Sequence, residues 1–221
     1  MFIDNTILVL KTYDMVIDSP STLRGFIGQK FSENMILHHH LNNGSTKLIY
    51  SYPKVQYKIL NGCPMVLGIG EAVGIVKEIS SISHLDLKEK RYVVIDKELI
   101  GKKVNYGVAT DVISYEFLTP WLALDEESFN RYRKRNREEK QKQLESILVG
   151  NIISMSKGLE YVITDKITAS VNVHEVPTSL KGTPMLGFLG TFSVNFDIPD
   201  YWGIGKSVSR GFGTVIKNSS Q

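Results

Sequence analysis

Residues 203–213, GIGKSVSRGFG, pack four glycines, a lysine, an arginine and two serines into eleven positions near the end of the chain. Glycine takes backbone conformations closed to other residues, and successive N–H groups in turns form concavities that bind anions. Lys206 and Arg210 bring positive charge to that stretch. Two phosphate-binding architectures are excluded by counting. A Walker A loop ending in Gly205-Lys206-Ser207 needs glycine where Asp200 stands, and no long helix has room to follow. A dinucleotide fingerprint needs a third glycine at Val208 if it begins at Gly203, or at Ile216 if it begins at Gly211. What remains is a doubled glycine-hydrophobic-glycine unit around five variable residues, poised either to cradle phosphates or to make a tight turn.

The upstream chain supplies a scaffold of ordinary composition. Its 221 residues suffice for two small domains, and 42% hydrophobic residues can fill their cores. The single cysteine, Cys63, excludes an intrachain disulfide and a multi-cysteine zinc site. With no long apolar run and no charged-then-apolar leader, a cytoplasmic protein without membrane association is expected. The net charge is only +3, but residues 131–142 hold seven Lys/Arg against two Glu, a local +5 that leaves about −2 elsewhere. That run suits either a solvated helix face or a track for phosphates.

In order, residues 7–10 read as a buried strand, and Ser19-Pro20 as the cap and first residue of a helix burying Leu23, Phe26, Ile27 and Phe31. Gly25 and Gly28 on that helix suggest close approach of another chain segment or an RNA backbone beside Arg24. A polar loop over residues 34–47 carries His38, His39 and His40; no Cys or HExxH-type spacing accompanies them, so acid–base chemistry is favoured over zinc. From residue 49 to 59, alternation puts Tyr50, Tyr52, Lys54, Gln56 and Lys58 on one strand face, a pattern of rings and ammonium groups suited to single-stranded RNA. A turn at Asn61-Gly62, a strand over 65–69, a short helix over 74–82 and one or two strands over 91–106 complete the order of a ferredoxin-like unit.

A second unit begins near Asp111. It contains a strand over 112–124 interrupted by Pro120, and one long helix from the Asp125 cap to Gly158 with the basic run at its head. Two alternating strands, 167–175 and 186–196, pair through a turn at 177–184. Only a short helix fits between Phe196 and the glycine loop, so the second unit is abbreviated. The expected fold is α+β: tandem ferredoxin-like (RRM-like) units, residues 1–108 with the histidine loop and residues 109–221 with the C-terminal glycine-rich loop.

The doubled glycine motif resembles the C-terminal signature of the RAMP superfamily of CRISPR-associated RNA-binding proteins. Joined to LRGFIG (23–28), the histidine cluster, YPKVQYK (52–58) and FLTPWLAL (117–124), it resembles in order the Cas6 endoribonucleases that process precursor CRISPR RNA. The histidine loop with YPKVQYK is similar to the type I-B branch.

The resemblance implies a cofactor-free, metal-independent cut within each repeat, in which a ribose 2′-OH attacks the adjacent phosphate to leave a 2′,3′-cyclic phosphate. It places His38 and His40 as the catalytic pair, with His39 spare, and Tyr50 or Tyr52 at the scissile phosphate. Lys47 or Lys54 would neutralise developing charge. RNA contacts are expected from Arg24, Lys47, Tyr52, Lys54 and Lys58, and from Gly203, Gly205, Lys206, Ser207, Arg210, Gly211 and Gly213. Implied partners are CRISPR precursor RNA, other CRISPR effector subunits and a second copy of the chain. The alternative is a non-catalytic RNA-binding subunit of an effector complex, which would have no need of the histidine loop.

Overall fold

The structure is a computed structural model and describes residues 1–32 and 52–218. The chain divides into two units: residues 2–104 with 209–211, and residues 105–208 with 212–221 and Met1.

The N-terminal unit runs β1 (Phe2–Thr12), α1 (Pro20–Lys30), β2 (Val55–Leu60), β3 (Cys63–Ile69), α2 (Val73–Ile79), β4 (His84–Leu87) and β5 (Lys90–Asn105). The sheet order is β2-β3-β1-β5-β4, the ferredoxin-like order with β4 added at one edge. α1 begins where its cap dictates: Ser19 Oγ accepts the Thr22 N–H at 3.3 Å, and Pro20, which has no N–H to lose, occupies the first turn. The α1 stripe buries Leu23 and Ile27 completely against Leu8, Leu10, Val55, Tyr57 and Val66 of the sheet and Val76 and Ile79 of α2.

The second unit runs β6 (Gly107–Trp121), α3 (Glu126–Tyr132), α4 (Arg137–Gly158), β7 (Ala169–Leu180), β8 (Thr183–Asp197) and β9 (Val215–Lys217), with order β7-β8-β6-β9. This is again the ferredoxin-like order, but a single 3-10 turn, Val208–Arg210, stands where the second helix would be. The core is aromatic. Phe117 stacks on Trp121 with centroids 5.3 Å apart, and Tyr115 on Phe192 at 5.1 Å. The Tyr115 hydroxyl donates to Phe196 O and accepts the Ile198 N–H, so its polar end is satisfied in the interior.

Three expectations are corrected. The long helix from Asp125 is two helices, because Asn136 caps a new one: its Oδ1 accepts the Glu139 N–H and Glu139 answers to the Asn136 N–H, each at 3.0 Å. The β7–β8 strands continue past Pro177 and Pro184 to a two-residue turn at Lys181-Gly182, both at positive φ as a tight hairpin requires. Of the strand expected over residues 49–59, the described residues 52–54 are irregular and β2 begins at Val55.

Candidate nucleic-acid interface

Within the N-terminal unit, α1 carries Arg24 and β2 carries Tyr57 on the sheet face that α1 covers. Burial pushes the Tyr57 phenol well above its ordinary pKa, against the opposing pull of the nearby Arg24 charge. The hydroxyl has no hydrogen-bond partner among the described residues, an uncommon state for a buried polar atom.

The tip of the glycine loop, residues 209–211, belongs to this same unit. Gly211, at φ +83°, lies against both elements: a Cβ there would stand 2.8 Å from Pro20 Cγ and 2.9 Å from Tyr57 O. Only glycine lets the main chain come this close. The contact sets Arg210 near Arg24, and the Arg210 guanidinium is pushed below its usual pKa first by partial burial and then by the Arg24 charge. Neither arginine has a carboxylate partner among the described residues. Arg210 thus lies near Arg24, and Arg24 near the Tyr57 hydroxyl, so guanidinium N–H groups and a phenol converge in one place where an anion with several acceptor oxygens can be bound.

The flanks of the loop belong to the other unit and are held tightly. Gly203 bridges to Thr214, the Ile204 N–H donates to Gly213 O at 2.8 Å, and the Gly213 N–H donates to Pro120 O at 3.0 Å. Gly213 sits at φ +62°, and a Cβ on it would collide with Ile204 O. Gly205 lies against the Trp121 indole, which donates to Asn151 Oδ1. Ser207 takes a positive φ of 58°. Lys206 is exposed, with its ammonium 3.8 Å from Asp125 Oδ2. The flanking glycines thus serve the turn, while the cations are left at its tip and on its surface.

Other expected contacts fall differently. Lys54 is partly exposed and pairs with Glu71 at 3.0 Å, a surface bridge that a phosphate can displace at small cost. Tyr52 and Lys58 do not form the open platform that alternation suggested. Lys58 Nζ donates to Gln56 Oε1 at 3.1 Å, Gln56 Nε2 donates to the Tyr52 hydroxyl at 2.8 Å, and all three side chains are buried. Burial pushes the Lys58 pKa down to about 7. Alternation separated the two faces of β2 correctly, but both are covered, so parity could not tell which is exposed. Gly25 has no close neighbour either: a Cβ on it would meet nothing within 4 Å.

His38, His39, His40, Lys47 and Tyr50 lie outside the described residues. Among the described residues, no three His, Cys, Asp or Glu side chains are grouped to hold a metal ion, and no helix is long and apolar enough to cross a membrane. Tyr57 is the member of the site that sequence reasoning missed. Its odd position assigns it to the core face of β2, and nothing in the sequence shows that a core hydroxyl will lack a partner.

The paired sheets and the glycine loop define a class. The fold matches that of Cas6 and RAMP proteins, among them a type IV Cas6 nuclease, Csf5, at a TM-score of 0.56 and 12% identity, a likeness of fold alone. Residues 1–105 match the model of the Cas6b N-terminal domain, and residues 107–218 that of the Cas6b C-terminal domain. The chain belongs to the Cas6b family, one of the RAMP-type Cas6 endoribonuclease families of CRISPR systems. A crystal structure of Cas6b is 32% identical, covers 99% of this chain and 100% of its own, and superposes with a TM-score of 0.88. A second structure, described as the CRISPR RNA processing endoribonuclease Cas6b, is 31% identical over the same shares, with a TM-score of 0.78. The uncharacterized protein MJ0978 of Methanocaldococcus jannaschii is 43% identical over 140 residues, 63% of this chain and 95% of that protein.

Proposed function

We propose that this chain is an endoribonuclease that cuts within CRISPR repeat RNA without a metal ion, through attack of a ribose 2′-hydroxyl on the adjacent phosphate. The 2′-O–P bond forms and the P–O5′ bond breaks. One group takes the 2′-proton and another delivers a proton to the departing 5′-oxygen, leaving a 2′,3′-cyclic phosphate and a 5′-hydroxyl. His38 and His40 are the pair, since imidazole exchanges protons near neutral pH and each positioned proton transfer contributes about 10²–10⁴-fold. Tyr50 orients the attacking hydroxyl, and Lys47 or Lys54 neutralises the phosphorane.

Arg24 and Arg210 grip a backbone phosphate, with Lys206 as a further contact. The observation that carries the RNA reading is that Arg210 at the tip of the glycine loop lies near Arg24 of α1, and that among the described residues neither guanidinium has a carboxylate partner and the nearby Tyr57 hydroxyl has no hydrogen-bond partner. Family membership supports the cutting role, as one Cas6b structure is described as a CRISPR RNA processing endoribonuclease. Association with a second copy of the chain or with effector subunits is a further part of the proposal.

The test is incubation of a repeat RNA from the source genome's CRISPR array with the protein in EDTA. Cleavage is expected, with a cyclic phosphate on the upstream product, and a 2′-deoxy nucleotide at the cut should abolish it. His38→Ala with His40→Ala should stop cleavage and retain binding. Binding without cleavage by the wild-type chain would instead establish the non-catalytic subunit, and full activity of the double variant would remove the histidines from the mechanism.

A further inference from the structure

The basic run at residues 131–142 has no part in the site above. Several of its cations are spoken for: Arg131 pairs with Glu127, Lys142 with Glu138, and Arg135 donates to Gln143. The Arg137 side chain is exposed and has no ion-pair or hydrogen-bond partner among the described residues. It opens α4 and lines a cleft of about 460 Å³ between the head of that helix and β7, together with Lys140, Leu144, Val173 and Glu175.

β7 is an edge strand, so one side of its main chain is unpaired within the sheet. The Val171 N–H turns away from β8 to Glu145 Oε1, at 3.4 Å. Alternation of an antiparallel ladder then turns the N–H and C=O groups of Val173 and Glu175 outward as well, into the cleft. At position 177 the series stops, because Pro177 has no N–H to offer. The open edge is therefore about two residues long. A docked strand of ordinary length, about 5–6 residues, would meet the Glu145 carboxylate at one end and Pro177 at the other. One nucleobase needs only such an adjacent donor and acceptor.

The cleft is stiffened from below. The buried Tyr132 donates its hydroxyl to Glu175 Oε1 at 2.9 Å, and Lys140 Nζ lies 4.5 Å above the Tyr132 ring and 3.4 Å from the same carboxylate oxygen. This fixes Lys140 next to Arg137 on the helix, three positions away and one turn along.

We infer that this cleft holds one unstacked nucleotide of the bound RNA: the base edge against the main chain of Val173 and Glu175, the phosphate between Arg137 and Lys140. The inference rests on RNA being the substrate. It adds a second contact, in the other unit from the Arg24–Arg210 pair. Main-chain groups read the pattern of donors and acceptors on the base, while the two cations hold the backbone.

The test is fluorescence anisotropy with a repeat RNA carrying a 2′-deoxy nucleotide at the cut, titrated at several salt concentrations. Losing one phosphate contact to a single strand lowers the slope of log K against log salt by about 0.7, which is about 5-fold in affinity near 0.1 M salt. Arg137→Gln with Lys140→Gln is expected to show both changes, and Lys166→Gln, an exposed control outside the cleft, neither. Thermal melting of the double variant separates lost contact from lost fold. The same RNA with 5-iodouridine substituted for uridine should, on irradiation, crosslink to peptides covering residues 137–144 or 171–175.

Unchanged affinity and slope in a folded double variant, or crosslinks confined to other peptides, would overturn the inference and leave the cleft to a protein partner. A wild-type chain that binds no repeat RNA would instead remove the RNA reading beneath it.

Discussion

Replacing Lys58 by methionine tests the physics of β2 most directly. The lysine is 1% exposed, its one described partner is the neutral Gln56 amide, and burial lowers its pKa from 10.5 to about 7. Between those two values the unfolded chain holds a proton that the folded chain has released. The wild-type fold therefore gains stability as pH rises from about 7 towards 10.5, and it carries the full penalty below 7. At about 1.4 kcal/mol per pH unit the penalty is roughly 5 kcal/mol.

Methionine keeps the length of the stem, removes the charge and deprives Gln56 Oε1 of one donor, which costs about 1–3 kcal/mol. Lys58→Met should therefore be more stable than wild type by roughly 2–4 kcal/mol at pH 6.5, and equal or less stable near pH 10. Both tryptophans, Trp121 and Trp202, belong to the other unit, so main-chain amides within this unit are the more direct probe. Hydrogen exchange at the amides of β2 and β3, in a urea series at pH 6.5 and 9.5, reads it. A wild-type stability of the N-terminal unit that stays flat over this range, together with a methionine variant less stable at pH 6.5, would refute the reasoning.

Gly213→Ala forces a Cβ into Ile204 O at a positive φ, so it should cost about 3 kcal/mol or more and lower Tm on the order of 10 °C. Gly182→Ala at the open hairpin turn, with nothing within 4 Å, should cost only about 1 kcal/mol; equal losses would show that the loop is not packed as described. Tyr57→Phe removes a buried hydroxyl that has no partner among the described residues, so it should stabilise the free protein by about 1–2 kcal/mol and weaken binding of repeat RNA several-fold. Destabilisation of the free protein by that variant, read by chemical denaturation, would mean that the hydroxyl is already satisfied.

The order of elements, the Ser19-Pro20 start of α1 and the abbreviated second unit were legible in the sequence because each is a local matter. Caps act over three residues, strand faces alternate every two, and a missing helix shows as missing length. The break at Asn136 was legible too, in the spacing from Asn136 to Glu139, but the continuous charge run across it reads as one helix. The β2 platform was misread for a different reason. Tyr52, Gln56 and Lys58 do share a face, yet whether that face meets solvent depends on what covers it, and coverage is not a local property.

The glycine loop divides the same way. Its sequence left a phosphate cradle and a tight turn both open, and its glycine spacing excluded nucleotide-hydrolase and dinucleotide loops. Tertiary structure alone brought Gly211 against Pro20 and Tyr57 and set Arg210 beside Arg24, residues 186 positions apart whose charges no sequence pattern links. Short-range sterics and hydrogen bonding select conformations residue by residue, so they can be read in sequence. Charge proximity and burial arise only when distant segments are packed together, and the proposed phosphate contact rests on those two quantities.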